Sequence, residues 1–187
     1  MTFKTIDSIK LPDNPRILCM GDSLTKGWNM PDGHDYPSRL AVMSGLEVIN
    51  SGVAGETSAQ GLDRLPQMLA EHKPDIVIFQ YGGNDMLRNV MDRVLGMNLR
   101  NMLQLSVDAG AVPLFFAIPR HDAVLTPNFI YKEIADEKDV LVDLEAVREI
   151  MFQDELKMDF FHPNSEGYFK LAEFANKLVR TAKRIHK

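Results

Sequence analysis

Residues 16–24 read RILCMGDSL, an apolar run that stops abruptly at glycine, aspartate and serine. Further runs rich in Ile, Val, Leu and Phe recur at intervals along the chain. Strands that are buried on both faces of a parallel sheet have this near-continuous apolar pattern, whereas half-exposed strands alternate. We therefore predict five such strands, at Arg16–Met20, Leu46–Asn50, Asp75–Tyr81, Val112–Ile118 and Val140–Asp143.

Helical patterns alternate with these runs. Apolar residues recur at helical spacing in 36–44, 58–71, 89–109, 128–137, 145–153 and 165–184. This alternation predicts the α/β class, as three α/β/α layers in which helices cover both faces of a parallel sheet. We predict a flavodoxin-like, five-stranded parallel sheet of strand order 2-1-3-4-5. Such a sheet binds ligands at the carboxyl ends of its strands.

Size and charge narrow the function classes. The chain has 187 residues, of which 45% are hydrophobic. This length suits one domain, so we predict a single domain over residues 1–187. The formal net charge is -5 and no Lys/Arg block occurs, which argues against a nucleic-acid partner. Composition leaves the oligomeric state open.

The single cysteine, Cys19, lies in an apolar run and is expected to be a buried, inert thiol. No His/Cys/Asp/Glu cluster has metal-ligand spacing, so we expect no metal and no other cofactor. Charged residues are scattered through residues 1–16, which argues against a signal peptide. Because no run of 18 apolar residues occurs either, we expect no membrane span and a cytoplasmic location.

Four polar segments lie at or near the predicted carboxyl ends of the strands. They are Gly21-Asp22-Ser23-Leu24, residues 50–58, Gly82-Gly83-Asn84-Asp85 and Asp159-Phe160-Phe161-His162-Pro163. Each of them alone is an ordinary turn or helix-cap sequence. Because all four are expected at one edge of the sheet, they together indicate a functional site.

Serine, histidine and aspartate in these segments suggest nucleophilic catalysis. The Ser23 hydroxyl is a poor nucleophile until a base removes its proton, and His162 is the candidate base. Asp159 precedes His162 by three residues, a spacing that places both side chains on one face of a helical turn. The Asp159 carboxylate is then expected to orient the His162 ring.

The four segments resemble the sequence blocks of the SGNH/GDSL hydrolases, in order over about residues 16–170. Within that family the chain is most similar to the bacterial thioesterase I/lysophospholipase L1 group, especially over 55–65 and 82–88. The resemblance implies a serine esterase that hydrolyses acyl esters or thioesters, of the acyl-CoA or lysophospholipid type, through an acyl-enzyme. It also implies three oxyanion donors, namely the N–H groups of Ser23 and Gly55 and the side-chain amide of Asn84.

Substrate contacts are predicted next to these blocks. Met86 and Leu87 are expected to line an acyl groove, together with Val90, Met91, Val124 and Leu125; the alternative is that these side chains are core. Asp22 is a further candidate in the site, although mainly structural hydrogen bonds are expected from it. His121 follows strand 4 and is a candidate substrate contact, whereas His72 and His186 are expected to be solvated.

Two alternative functions remain open at this point. A carbohydrate O-acetylesterase would have the same fold, and Trp28 and His34 near Ser23 would suit a sugar. A non-catalytic, flavodoxin-like module would bind a small anion or a partner through its glycine-rich loops. Such a module has no need of Ser23, His162 and Asn84 together, and we therefore favour the esterase.

Overall fold

A computed structural model describes residues 5–187 of the chain. Five parallel strands form one sheet of order β2-β1-β3-β4-β5, which confirms the predicted α/β class and strand order. The strands are β1 (Ile17–Gly21), β2 (Val48–Gly52), β3 (Ile76–Gln80), β4 (Val112–Phe116) and β5 (Leu141–Asp143). Gly21 pairs with Gly52 on one side and with Gln80 on the other, so the first three strands end at the same level.

Within residues 5–187, eight α-helices connect or follow the strands. They are α1 (Ser23–Lys26), α2 (Tyr36–Ser44), α3 (Ser58–His72), α4 (Gly83–Leu87), α5 (Asp92–Ala109), α6 (Phe129–Lys138), α7 (Ala146–Phe152) and α8 (Ser165–Ile185). α8 packs on α2 and α7, while α5 packs on α3 and α6. These two groups of helices enclose the sheet, as the alternating pattern predicted. No described helix has the length and hydropathy to cross a bilayer.

The central strands are the most apolar part of the core. Every residue of β1, β3 and β4 is buried, whereas β2 and β5 are partly exposed. The prediction that all five strands are buried on both faces is therefore wrong for these two, because each is an edge strand. Cys19 in β1 is fully buried, as expected, and burial raises the pKa of its thiol to about 12.

Sequence periodicity missed α1 and α4, the two helices that begin directly after β1 and β3. They have only four and five residues, too few to show an apolar repeat. His186 was also misjudged. It is 4% exposed rather than solvated, and its Nδ1 lies 3.1 Å from the Ile9 carbonyl oxygen, which accepts a hydrogen bond from it.

Candidate active site

Ser23 is the first residue of α1, in a tight turn at the end of β1. The Asp22 carboxylate caps this helix by accepting the Leu24 N–H at 3.0 Å. A Cβ at Gly21 would lie 2.1 Å from Thr25 Oγ1 and 2.7 Å from the Gln80 carbonyl oxygen. Only glycine therefore permits this turn, which places the serine at the carboxyl edge of the sheet.

Asp159 and His162 lie in the loop that precedes α8. Asp159 Oδ1 accepts the backbone N–H groups of Phe161 at 2.8 Å and His162 at 2.9 Å. The loop is closed by an isolated bridge between Lys157 and Pro163. The predicted helical turn at Asp159 is therefore wrong, because the carboxylate, rather than a main-chain carbonyl, receives these two N–H groups. The turn that forms instead still brings the side chains of Asp159 and His162 together.

One chain of hydrogen bonds connects the three residues. His162 Nδ1 lies 2.9 Å from Asp159 Oδ2, and His162 Nε2 lies 3.1 Å from Ser23 Oγ. Because an ionised carboxylate only accepts hydrogen bonds, Nδ1 carries the ring hydrogen and Nε2 is free to accept the Ser23 hydroxyl hydrogen. Burial opposes ionisation of Asp159, but the hydrogen bonds from Phe161 and His162 outweigh it, so the pKa of Asp159 lies below its usual value.

Gly55 lies in the loop after β2, in a left-handed conformation with φ +78. Glycine adopts this conformation without a steric penalty. A Cβ there would meet only Arg88 Nη2, at 3.9 Å, so the space beside the backbone is open. In the part of the chain that the structure describes, neither the Gly55 N–H nor the Ser23 N–H donates to another group. Both N–H groups are thus available to an oxygen in the adjacent pocket.

Asn84 is the second residue of α4. Its Nδ2 donates to Asp22 Oδ2 at 3.0 Å and to the Glu56 carbonyl oxygen at 3.1 Å. The next residue, Asp85, is buried and accepts the Ser58 N–H at 2.9 Å at the start of α3. Hydrogen bonds therefore connect the three loops that follow β1, β2 and β3.

A buried ionic cluster beside Gly55 was missed by sequence reasoning. The Glu56 carboxylate is 6% exposed, forms a bidentate pair with Arg64 at 2.6 and 2.8 Å, and accepts the Tyr81 hydroxyl at 2.7 Å. Arg64 Nη1 also donates to Ser51 Oγ at 2.6 Å. The cluster holds the loop of Gly55 against β2 and α3. Its members are far apart along the chain, and no motif spacing relates them.

A pocket of about 450 Å³ opens in front of Ser23, and most of its walls are apolar. Phe160, Phe161 and Trp28 line it beside His162, and the Trp28 ring lies 6.0 Å from the His162 ring. The apolar walls come from α1, α4, α7 and the loops after β2 and β4: Leu24, Ala54, Leu87, Ile118, Pro119, Leu125, Val147 and Met151. Periodicity predicted a helix over 145–153 but did not indicate that Val147 and Met151 line a pocket.

The predicted substrate contacts separate into two groups. Leu87 and Leu125 line the pocket, as expected. Met86 does not, because its side chain packs on the core and borders a neighbouring cleft of about 720 Å³ with Val90 and Met91. Here the core alternative fits Met86 better than the groove prediction.

Two histidines were considered for substrate contact. His121 lies between the pocket and the neighbouring cleft, 5.0 Å from the Phe161 ring, and its buried Nδ1 has no partner among the described residues. Burial lowers the pKa of His121, which favours the neutral ring. His34 instead lies outside the pocket lining, and its Nδ1 is 3.2 Å from Ser165 Oγ.

The sequence is similar to several known proteins. The model of the GDSL-like Lipase/Acylhydrolase family matches residues 19–169. An arylesterase of Vibrio mimicus is 34% identical over 177 residues, with 88% of each chain covered. Thioesterase 1/protease 1/lysophospholipase L1 of Escherichia coli K12 is 32% identical, covering 88% of this chain and 83% of that protein.

Two solved structures have the same fold and a comparable sequence similarity. The crystal structure of TesA has a TM-score of 0.80 and 26% identity, and covers 89% of this chain and 99% of that chain. The SGNH-hydrolase family esterase AlinE4 has a TM-score of 0.70 and 26% identity, with 92% and 98% covered.

Proposed function

Because this chain belongs to the GDSL-like lipase/acylhydrolase family and is an ester-hydrolysing enzyme, we propose that it works through a triad of Ser23, His162 and Asp159. The observation that supports this most is the hydrogen-bond chain from Asp159 through His162 to Ser23 Oγ, at 2.9 and 3.1 Å. No metal takes part in the proposed reaction. Among residues 5–187, no group of His, Cys, Asp or Glu side chains is arranged to hold one.

The proposed reaction has two halves. Ser23 Oγ attacks the acyl carbonyl carbon while His162 Nε2 takes the hydroxyl proton, and Asp159 stabilises the resulting imidazolium. The carbon–oxygen or carbon–sulfur bond to the leaving group then breaks, and His162 returns the proton to the departing alcohol or thiol. Water repeats these steps on the acyl-enzyme, with His162 again acting as the base, and releases the carboxylic acid.

The negative charge on the attacked carbonyl oxygen needs donors that are already in position. We assign this role to the N–H groups of Ser23 and Gly55, which have no other acceptor among the described residues, and to Nδ2 of Asn84, which exchanges its hydrogen bond with the Glu56 carbonyl oxygen for one with the oxyanion. All three residues line the pocket in front of Ser23 Oγ. Backbone and amide donors provide this stabilisation without adding a charged side chain.

Replacing Asn84 tests this assignment. Asn84→Ala should lower kcat by ~10²–10³ with KM little changed, because the amide acts mainly in the transition state. Steady-state kinetics and thermal unfolding should be measured on the same sample. If Asn84 only shapes its loop, the melting temperature falls while kcat stays near wild type in the folded variant, and the oxyanion assignment then fails.

The pocket walls favour acyl groups over sugars. Leu125, Val147 and Met151 are buried and face the cavity, and they offer no donor or acceptor to sugar hydroxyls. We therefore propose carboxylic esters and thioesters with an apolar acyl chain as substrates. A panel of p-nitrophenyl esters from acetate to palmitate, acyl-CoA and acetylated sugars tests this. Fastest turnover of an acetylated sugar would favour the O-acetylesterase alternative.

Leu87 allows a sharper test of the acyl pocket. Leu87→Ala should lower kcat/KM for octanoyl relative to acetyl esters by roughly three- to tenfold, the loss expected from one or two methylene contacts. Met91→Ala is the matched control, because Met91 is equally exposed, at 56% against 55%, but does not line the pocket. Equal chain-length profiles for Leu87→Ala and wild type would place the acyl chain elsewhere.

A further inference from the structure

The Asp22 carboxylate connects the two segments that contain Ser23 and Asn84. Oδ1 accepts the Leu24 N–H at 3.0 Å and caps α1, the helix that begins at Ser23. Oδ2 accepts Asn84 Nδ2 at 3.0 Å. Asp22 is 3% exposed, so protein groups rather than water surround this carboxylate. The Asp22 side chain therefore bridges the start of α1, where Ser23 lies, and the amide of Asn84.

The direction of the Asn84 amide depends on such partners. The terminal torsion of an asparagine side chain is broad and has no strong preference of its own. Asn84 Nδ2 carries two hydrogens, and its two acceptors in the structure are Asp22 Oδ2 and the Glu56 carbonyl oxygen. Two hydrogen-bond acceptors determine the plane of the Asn84 amide. If the Glu56 carbonyl oxygen were the only acceptor, the amide would be able to rotate about that one hydrogen bond.

We propose that Asp22 is a positioning residue, whose carboxylate holds one amide hydrogen of Asn84 in place while the other, which the Glu56 carbonyl oxygen accepts in this structure, is redirected to the oxyanion. This inference rests on the oxyanion role proposed for Asn84. It also changes the interpretation of Asp22, for which mainly structural hydrogen bonds or a substrate contact had been considered. Both carboxylate oxygens are engaged by protein donors, which leaves Asp22 to act on the substrate through Asn84.

Burial disfavours the ionised form of Asp22. Burial raises the pKa of Asp22 to about 6 from its ordinary 3.8, so the folded protein holds this proton more tightly than the unfolded chain does. The contribution of Asp22 to stability is therefore fully present below pH 3.8 and is lost as the pH rises to about 6. At neutral pH the ionised carboxylate is therefore less favourable in the folded protein than in the unfolded chain, although it accepts the Leu24 N–H and the Asn84 amide.

Two substitutions separate the cap from the amide contact. Asp22→Ser retains an oxygen that caps α1, since serine is a good N-cap residue, but its side chain is too short to reach Asn84. Asp22→Asn retains the size of the side chain but has only one accepting oxygen, so it satisfies either the Leu24 N–H or the Asn84 amide. Asp22→Ser is therefore the primary variant, and Asp22→Asn is the second if serine disturbs folding.

Asp35 provides a matched control. It is also buried, caps α2 by accepting the Ser38 N–H at 2.8 Å, and accepts an asparagine amide, Asn50 Nδ2, at 3.0 Å. It does not line the pocket. Asp35→Ser therefore keeps an oxygen that caps α2 but removes the same kind of amide contact away from Ser23, and we expect a lower melting temperature with kcat near wild type.

A double-mutant cycle with Asn84→Ala is the decisive measurement, using a short-chain p-nitrophenyl ester. Asp22→Ser alone should lower kcat by about 10- to 100-fold with KM nearly unchanged, part of the loss of a complete oxyanion donor. In the Asn84→Ala background the same substitution should change kcat by less than about twofold, because residues that act through one another are not additive.

The outcomes distinguish this inference from the proposed function. Near-normal kcat in Asn84→Ala would overturn the oxyanion assignment, and the inference would fall with it. A strong loss in Asn84→Ala with normal kcat in Asp22→Ser would overturn the inference alone. Additive losses in the double variant would overturn it as well, because Asp22 would then act independently of Asn84. Failure of both Asp22 variants to fold would also count against it, since Asp22 would then be essential to the fold itself.

Discussion

Ser23→Ala should abolish hydrolysis, with kcat lower by on the order of 10⁶, the loss that removal of the nucleophile causes in a serine hydrolase with such a triad. Alanine removes only the hydroxyl, and the Asp22 cap and the fully buried β1 remain in place. The variant should therefore unfold at nearly the wild-type temperature. Steady-state hydrolysis of a short-chain ester, together with thermal unfolding, measures both properties.

A fluorophosphonate probe identifies the same serine directly. The probe should add to Ser23 in the wild-type protein and leave Ser23→Ala unlabelled, with the adduct located by peptide mass spectrometry. His162→Ala should slow labelling greatly, because Nε2, 3.1 Å from Ser23 Oγ, is the proposed base. Label on another residue, or undiminished labelling without His162, would contradict the assignment.

Ser165 is a demanding control for this experiment, because it also lies beside a histidine. Its Oγ is 3.2 Å from His34 Nδ1, but it also accepts Arg39 Nη2 at 2.7 Å and lies outside the pocket lining. It therefore has a serine–histidine contact outside the pocket, on a hydroxyl that already accepts a hydrogen bond from Arg39. Ser165→Ala should keep normal labelling and normal kcat, which would show that the surroundings of Ser23, rather than a nearby imidazole alone, produce the reactivity.

The sheet could be predicted from the sequence because its signal is local. Buried strands such as β3 consist of consecutive apolar residues, and the Gly-Asp-Ser and Gly-Asn-Asp turns follow directly after them. The parallel arrangement then places those turns at one edge, whatever the details of packing. The sequence therefore placed Ser23 and Asn84 at one edge, whereas the pairing of Ser23 with His162, 139 residues away, rested also on the resemblance to the SGNH/GDSL hydrolases.

What could not be predicted depends on contacts between distant segments. Glu56 and Arg64 pair across the start of α3, and Tyr81 joins them from beyond β3, so no spacing marks the cluster. Met86 and Leu87 are neighbours in α4, yet only Leu87 faces the pocket, because the direction of a short helix depends on its tertiary contacts. Tertiary packing likewise turns Val147 of α7 toward the pocket.

Asp159→Asn should lower kcat by up to about 10⁴, the cost of placing the histidine in the wrong tautomer in comparable triads. The asparagine NH₂ donates to Nδ1, which forces the ring hydrogen onto Nε2, and Nε2 then no longer accepts the Ser23 proton. The asparagine carbonyl oxygen still accepts the N–H groups of Phe161 and His162, so the loop should keep its shape and the melting temperature should change little.

Charge alone does not produce this effect, and Asp154→Asn is the control that shows it. Asp154 lies in the same region and pairs with Lys157 at 2.9 Å, but its side chain is 96% exposed, so its neutralisation should leave kcat near wild type.

The pKa of Asp159 lies below its usual value, so the carboxylate stays ionised around neutral pH and the loss in Asp159→Asn should persist from pH 6 to 9. A folded Asp159→Asn enzyme with kcat within tenfold of wild type would mean that another acceptor orients His162. Because both oxygens of Asp159 lie within 3.0 Å of Nδ1, we expect no other group to take that place.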